Sequence, residues 1–215
     1  LGTPQLALVS LTNNYHAISL MRKFLSVSGH DTVVQVQRFQ IIGQLGFERG
    51  GPVAAEVFKT YQQTLATFAF GQEKIGIYNF EDNQHRSFIR SQQIQIKGNR
   101  GELNDQKLRY LKDFQTPMVS QFQRRNKGED ENMEGLGLKG IVVAGDWLYQ
   151  NPYPEAVLSD DEIALACCLD RMADYCKGGP SSYSFAQAAQ DFYLTLLIET
   201  AIVTGKAVHT EVQPW

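Results

Sequence analysis

Alternation of apolar and polar residues at a period of two is the feature that most restricts what this chain can fold into. It is clearest over residues 32–42, TVVQVQRFQII, and returns over residues 87–98, SFIRSQQIQIKG. Because successive side chains of a strand point to opposite faces, such a segment is typical of a β-strand with one face in water. The sequence therefore predicts a sheet that is not buried on both sides.

Further segments have the composition of strands, and short turns join most of them. They are residues 64–71, 74–81, 116–125 and 139–149, with a short strand in AVHTEV at 207–212. The close spacing of 64–71 and 74–81 predicts a hairpin. The polar run 124–135 between two of the segments is interpreted as a solvated loop.

Helical periodicity is found near the two ends of the chain. Residues 15–27 carry apolar side chains at the spacing of one helix face, with Asn13 or Asn14 as the predicted N-cap. Capping boxes at 159–162 (SDDE) and 184–187 (SFAQ) predict the starts of two more helices.

Strands and helices do not alternate as βαβ units require, so the predicted class is α+β. We expect an open, mostly antiparallel sheet with helices packed on one face, a two-layer sandwich. The other face would be a wet ligand-binding surface or a subunit interface. The 215 residues contain no internal repeat, low-complexity tract or linker, so a single domain over residues 1–215 is predicted.

Composition excludes several classes of function. The net charge is −3 and the longest basic run is Arg124-Arg125, so no nucleic-acid partner is expected. The most apolar tract, residues 194–203, is too short to span a bilayer and contains Glu199, so no membrane partner is expected. The three cysteines have no CxxC spacing, which favours a reduced, cytoplasmic protein.

Motifs for cofactors, metals and nucleophiles are missing from the sequence. GQLGFERGG at 43–51 lacks the GxGxxG spacing and is interpreted as an irregular turn or bulge. There is no GxSxG motif, and we expect at least one thiol of Cys167-Cys168 to be buried in a helix. The four histidines are His16, His30, His85 and His209. None of them lies at ligand spacing from another histidine or from a cysteine, so no metal site is predicted.

His16 stands apart because it lies in the first turn of the predicted helix. The positive end of the helix dipole disfavours an imidazolium there, and a neutral imidazole can accept or donate a proton near neutral pH. The alternative is a histidine that is satisfied by a nearby backbone carbonyl. The residues alone leave both interpretations open.

Three segments together resemble a known family. NNYHAISLMRKFL at 13–25, GIYNFEDNQHRSFIRSQQIQIKGNRGEL at 76–103 and FAQAAQDFYLTLLIETAIVTGKAVHTEVQPW at 185–215 are similar to the C-terminal domain of Gfo/Idh/MocA oxidoreductases. The resemblance rests on their order and distances, and it covers almost the whole chain.

The resemblance implies that cofactor binding and substrate binding belong to two different domains. Members of the family place a Rossmann domain first, which binds NAD or NADP and ends near a lysine that is important in catalysis. That domain is absent from this chain, so we expect no cofactor-binding residues here and no activity of this chain alone. The complete protein would oxidise a sugar, polyol or related hydroxyl compound. This domain would bind that substrate and form a homodimer or homotetramer through its sheet face.

The resemblance also assigns a role to His16. The family carries an Asp-x-x-x-His element at the start of the first helix of this domain, and its histidine contacts the substrate hydroxyl and helps to move its proton. His16 matches that histidine, but Thr12 stands in place of the aspartate. Asn13 or Asn14 would then orient the imidazole, or the mechanism differs. A non-catalytic sugar-binding or regulatory module that keeps the fold is the alternative function.

Other candidates for substrate contact are weaker. Tyr15 would line the pocket or serve as a hydrophobic staple at the helix start. His85 and Arg90 lie before or on the predicted strand 87–98, where they would face substrate or belong to a solvated or dimer-buried face. Asp191 is predicted to be structural, with a hydrogen bond from its helix to a neighbour.

Overall fold

The elements of the chain follow the predicted order, with strands in the middle and helices near both ends. The computed structural model describes residues 1–48, 50–128 and 137–215. Its helices are α1 (Asn14–Leu25), α2 (Asp160–Cys176) and α3 (Phe185–Thr204). A 3-10 turn covers Gln84–Arg86. Its strands are β1 (Pro4–Ser10), β2 (Thr32–Gln44), β3 (Phe47–Glu48), β4 (Gly51–Pro52), β5 (Phe58–Phe70), β6 (Lys74–Glu81), β7 (Gln93–Gly98), β8 (Gly101–Asn104), β9 (Lys107–Leu111), β10 (Pro117–Gln121), β11 (Gln123–Asn126), β12 (Leu138–Val143), β13 (Asp146–Gln150) and β14 (Val208–His209).

The chain divides into two compact units. The first holds residues 1–105, 109–117 and 185–215, and the second holds residues 106–108 and 118–184. The sheet of the first unit has the order β8-β7-β1-β6-β5-β2-β14, and the division between the units runs through β9 and β10. The predicted single domain stays a prediction.

The predicted class is confirmed, since the sheet is open and mostly antiparallel with α1 and α3 on one face. The exception is β1, which pairs β6 in parallel, with Val9 opposite Tyr78. On its other side β1 pairs β7 antiparallel. The first strand of the chain is therefore central in the sheet, and its carboxyl end lies beside the carboxyl end of β6.

The core of the first unit lies between the sheet and the two helices. Alternate residues of the strands point inward, and Val9, Ala66 and Phe68 are at most 1% exposed. Ile18 and Met21 of α1 and Leu194 and Ile198 of α3 meet them in one hydrophobic cluster. Each of the larger side chains in this cluster stabilises the fold by about 1.5–3 kcal/mol relative to an exposed one.

A buried ion pair joins the two helices of this layer. Arg22 of α1 bonds Asp191 of α3 through its guanidinium, and the carboxylate side chain is 2% exposed. The structural role predicted for Asp191 is thus confirmed. The sequence could not identify Arg22 as the partner, because the two residues are 169 positions apart.

The second unit contains the three-stranded sheet β11-β12-β13 and the helix α2. The predicted capping box is confirmed, as Ser159 Oγ accepts from the Glu162 backbone N–H and the Glu162 carboxylate accepts from the Ser159 N–H. Ile163 is the buried residue of this helix. The expected burial of a thiol is wrong for the described residues, since Cys167 is half-buried and Cys168 exposed.

Two strands were predicted as single segments but are broken in the structure. Residues 139–149 form the hairpin β12–β13, which turns at Ala144 and Gly145, both with positive φ. Residues 116–125 divide into β10 and β11 at Phe122, whose backbone N–H bonds the Gln106 carbonyl. Apolar residues on both sides of the break at 144–145 hid it in the sequence. Of the predicted loop 124–135, residues 124–126 belong to β11, and residues 129–135 lie outside the described part of the chain.

The predicted strand 87–98 begins later than its alternation indicates. β7 starts at Gln93, and residues 87–92 form a loop after the 3-10 turn. Arg90 therefore lies in a loop and not on a strand. Gln84 causes the break, because its side-chain amide holds the Ser10 and Ser91 carbonyls at 2.9 Å each.

Two short elements complete the first unit. β3 and β4 form a small hairpin at the predicted turn 43–51, of which the structure describes all but residue 49, and the predicted C-terminal strand is present as β14, Val208–His209. None of the described helices is long and apolar enough to cross a membrane.

Candidate functional site

The parallel pairing of β1 and β6 creates the place where the predicted site residues collect. Both strands end at the same edge of the sheet, and α1 begins four residues after Ser10, the last residue of β1. The start of α1 and the end of β6 are therefore neighbours. We call this region the edge site and define it by residues 13–16, Tyr78, Phe80 and His85.

The start of α1 is capped from the sheet and not by its own side chain. Asn13 lies at the N-cap with extended backbone, as predicted, but its side chain makes no capping hydrogen bond. Asn14 follows with a positive φ of 46°, a conformation that asparagine tolerates better than most residues. Its backbone N–H donates to the Tyr78 hydroxyl at 3.2 Å.

His16 is open to ligands. It is exposed in the first turn of α1, and its ring centroid lies 4.1 Å from that of Tyr15 at an angle of 38°. No described residue hydrogen-bonds the imidazole. Asn13 and Asn14, which were predicted to orient it, make no such bond. The imidazole therefore has both nitrogens available for a substrate hydroxyl or a water molecule. The alternative interpretation, a histidine satisfied by a backbone carbonyl, finds no such contact in the described structure.

An aromatic row leads from the start of α1 to His85. The Tyr78 and Phe80 rings are stacked with centroids 6.0 Å apart, and the Phe80 and His85 rings follow at 6.1 Å. Tyr78 and Phe80 are buried, whereas His85 is exposed. The structure thus brings the predicted residues Asn14 and His85 into one continuous set of contacts, through two residues that the sequence did not single out.

The pKa values of Tyr78 and His85, the two titratable residues of this row, are shifted in opposite directions. Burial raises the pKa of Tyr78 to about 12, and the hydrogen bond from the Asn14 N–H opposes that rise. The hydroxyl is therefore neutral over the physiological range. Partial desolvation, and after it the charge of Arg86, lower the pKa of His85, which favours the neutral imidazole.

Arg90 is held by a buried acid. Its Nε donates to the Glu81 carboxylate at 2.6 Å, and Glu81 is 5% exposed. The Glu81 backbone N–H in turn donates to the Gln84 side-chain oxygen at 3.1 Å. Among the described residues no contact joins Arg90 to His16. In the structure the Arg90 guanidinium fixes the loop over the end of β6. Substrate binding by Arg90 stays a prediction.

A second charged group lies on the helix-covered face and was missed by sequence reasoning. Arg38 of β2 bonds both carboxylate oxygens of Glu199 on α3, at 2.7 and 3.2 Å, and its Nε donates to Thr64 at 3.2 Å. The register places Arg38, Thr64 and Phe80 in one row across three strands. The sequence did contain a signal for this group. Arg38 occupies a position of the alternation in residues 32–42 where an apolar residue is expected.

The connection from β1 to α1 does not fit the phosphates of a dinucleotide. Such cofactors need glycines where a strand turns into a helix, so that the backbone can approach the pyrophosphate. The connection from β1 to α1, residues 11–13, is Leu-Thr-Asn and has no glycine. The described part of the chain also has no cluster of three or more side chains that could hold a metal ion.

A groove of about 530 Å³ lies away from the edge site, on the face of the sheet that the helices leave uncovered. Its lining includes Leu65, Thr67 and Ile77, which alternate with the buried residues of β5 and β6. Gln35 and Gln37 add amide groups from β2. We call this surface the open face.

Comparison with known proteins identifies the fold. No protein-family model matches the chain, and no curated protein matches it in sequence. It is similar to the solved structure of levoglucosan dehydrogenase with NADH and L-sorbose, with 14% identity, a TM-score of 0.55, and coverage of 98% of this chain and 60% of that one. An NAD binding oxidoreductase from Klebsiella pneumoniae gives 10% identity, a TM-score of 0.52, and coverage of 99% and 60%.

The predicted resemblance is confirmed at the level of the fold. Gfo/Idh/MocA-type NAD-binding oxidoreductases contain this fold, and the chain spans about 60% of the length of the two solved structures named above. At these identities the comparison establishes the architecture and not the chemistry.

Proposed function

We propose that this chain is the C-terminal, substrate-binding domain of a Gfo/Idh/MocA-type oxidoreductase that acts on the CH–OH group of a sugar, polyol or related compound. The observation that carries the proposal is the exposed His16 in the first turn of α1, within a fold that matches such enzymes over 98% of the chain. A neighbour of this fold was solved with levoglucosan as well as NADH, which supports a sugar-like substrate.

His16 is the residue that we assign to proton transfer. Oxidation of an alcohol carbon requires that the hydroxyl proton leave as the carbonyl forms, and an imidazole with a free nitrogen can accept it. Asn13, Asn14, Tyr15 and His85 are proposed to contact the other hydroxyl groups of the substrate. Arg90 would contribute through guanidinium atoms that Glu81 leaves available.

NAD or NADP is the proposed cofactor, held by a separate dinucleotide-binding domain because the β1–α1 connection lacks the glycines for its phosphates. When bound, the nicotinamide supplies the hydride acceptor. The residues of this chain bind and orient the substrate and receive its proton.

The test of His16 uses the product of the complete reading frame. We expect His16→Ala to lower kcat/KM by at least about tenfold, since the general base is lost. The measurement is the absorbance of the reduced nicotinamide over a panel of sugars and polyols. His30→Ala is the matched control, because His30 is exposed beyond the other end of α1. Equal kinetics of the wild type and His16→Ala would remove the proposed catalytic role.

The second candidate is a sugar-binding or regulatory module without catalysis. Thr12, which stands where the family carries an aspartate, is the observation that favours it. Fluorescence titration of NADH and NADPH onto the complete protein separates the two candidates. Binding of either nucleotide together with turnover supports the enzyme. Sugar binding without nucleotide binding supports the module.

We also propose that a second copy of the chain covers the open face. Leu65 and Ile75 are 38% and 46% exposed there, in strands whose other side is buried. The amide side chains around them can pair with a self-complementary surface. The cytoplasmic location predicted from the cysteines stays a prediction.

A further inference from the structure

We propose that Tyr78 is a positioning residue for His16, because its hydroxyl replaces the missing side-chain cap of α1. The proposal rests on the proposed function where it concerns catalysis. It concerns the local structure of α1 in every case.

The first step is the unusual helix start. A helix leaves its first backbone N–H groups without partners inside the helix, and a side chain at the N-cap ordinarily satisfies one of them. Asn13 occupies that position and makes no such bond. No acidic residue lies in the first turn to supply a charge in its place.

The second step is the replacement. The Tyr78 hydroxyl accepts from the Asn14 N–H at 3.2 Å across 64 positions of sequence. Tyr78 is 3% exposed and lies on β6 opposite Val9 of β1, so the hydroxyl oxygen has little freedom to move. The start of α1 is therefore tied to a rigid strand. A helix capped by its own side chain would lack this connection.

The third step links the cap to His16, which follows Asn14 by two residues. The backbone of Asn14 has a positive φ, a conformation that asparagine adopts more readily than most residues and that the bond to Tyr78 fixes here. Without the bond to Tyr78, the first turn would relax and change the direction of the His16 side chain. The Tyr78 hydroxyl takes over the orienting task that the sequence resemblance gives to the residue at Thr12.

The tests use Tyr78→Phe, which removes one oxygen and keeps the ring stacked on Phe80. In the complete protein we expect kcat to fall about tenfold with little change of KM, since the imidazole is displaced while other contacts remain. In a His16→Ala background Tyr78→Phe should cause no further loss. Tyr193→Phe is the control, because its hydroxyl bonds the Glu211 N–H elsewhere in the first unit.

A readout without activity is the NMR signal of the His16 ring. Tyr78→Phe should shift the resonance, and Tyr193→Phe should not. An unchanged His16 signal in folded Tyr78→Phe overturns the proposal. If His16→Ala leaves kcat unchanged, the proposed function fails, and this NMR comparison still decides whether Tyr78 positions the ring.

Rescue by a local cap separates positioning from general destabilisation. Asn13→Ser exchanges a carboxamide that makes no capping bond for the shorter hydroxyl that commonly caps helices, and it adds no charge beside His16. We expect Asn13→Ser to restore the His16 signal to Tyr78→Phe. The comparison uses this signal and not kcat, because Asn13 is itself proposed to contact the substrate. Restored thermal stability without restoration of the His16 signal would contradict the proposal.

Discussion

At the scale of single residues, the sequence predicted where a side chain lies better than which side chain it contacts. His16 and Tyr15 lie where the helix pattern put them, and their rings are in contact. The bond from Asn14 to Tyr78 and the pair of Arg90 with Glu81 were not predictable. Alternation tells which face of a strand a residue occupies, but it does not contain the register or the loop that brings a distant residue within hydrogen-bond distance.

His85 gives a prediction for pH. Because its pKa in the folded protein is lowered, the unfolded chain binds more protons between that pKa and the ordinary value of 6.5. The contribution of His85 to stability therefore rises with pH through this window and is complete above 6.5. NMR titration of the ring should give a midpoint below 6.5.

Arg86→Gln provides the control for this titration. It removes the neighbouring charge, which is the second cause of the shift, and should move the His85 midpoint upward without restoring the ordinary value. A wild-type midpoint at or above 6.5 would contradict the assignment of partial desolvation to His85.

At the scale of elements, helices were predicted closely and strands less so. α2 begins at its capping box, and α1 begins within a residue of the pattern, because helix signals are local. The strand predicted over 87–98 begins late because Gln84, outside the segment, donates both to the Ser91 carbonyl within it and to the Ser10 carbonyl of β1. The parallel pairing of β1 with β6 was missed, since nothing in either strand identifies a partner so distant along the chain.

The packing of α1 on β6 depends on Gly76. A Cβ at this position would lie 3.0 Å from the Met21 sulfur and 3.0 Å from a Phe70 ring carbon. We expect Gly76→Ala to lower the free energy of unfolding by about 1–3 kcal/mol, because the core must expand to admit it. Urea unfolding measures the change.

Gly46→Ala is the matched control for Gly76→Ala. Gly46 is exposed, and a Cβ added there would meet no atom within 4 Å, so its replacement should be nearly neutral. Equal stabilities of the two variants would show that α1 does not approach β6 as closely as described.

At the scale of the whole molecule, the sequence predicted the two-layer class because strands with one face in water alternate apolar and polar residues. It also predicted that one face would lack helices. It could not say what covers that face, since amide-rich strands serve ligands and subunits alike. The division into two compact units likewise has no marker in composition or linker length.

Self-association through the open face is testable with one charge. We expect the wild-type chain to be larger than a monomer at high micromolar concentration, and Leu65→Glu to shift it toward monomer, because a carboxylate would be buried beside its own copy. Light scattering during size-exclusion chromatography measures the mass. Val212→Glu adds the same charge at a fully exposed position and should leave the mass distribution unchanged. A monomeric wild type would contradict the proposed interface.

The central place of β1 has a consequence for the order of folding. Leu8 pairs with Ile77 on one side and with Gln95 on the other, so both neighbours of this strand come from far along the chain. Closing such long loops is costly in entropy, whereas the β5–β6 hairpin is local and can form early. We expect β1 to enter a sheet that is already partly assembled. Because α1 follows β1 directly, His16 would reach its place late, and the histidine would be among the last parts of the fold to acquire its surroundings.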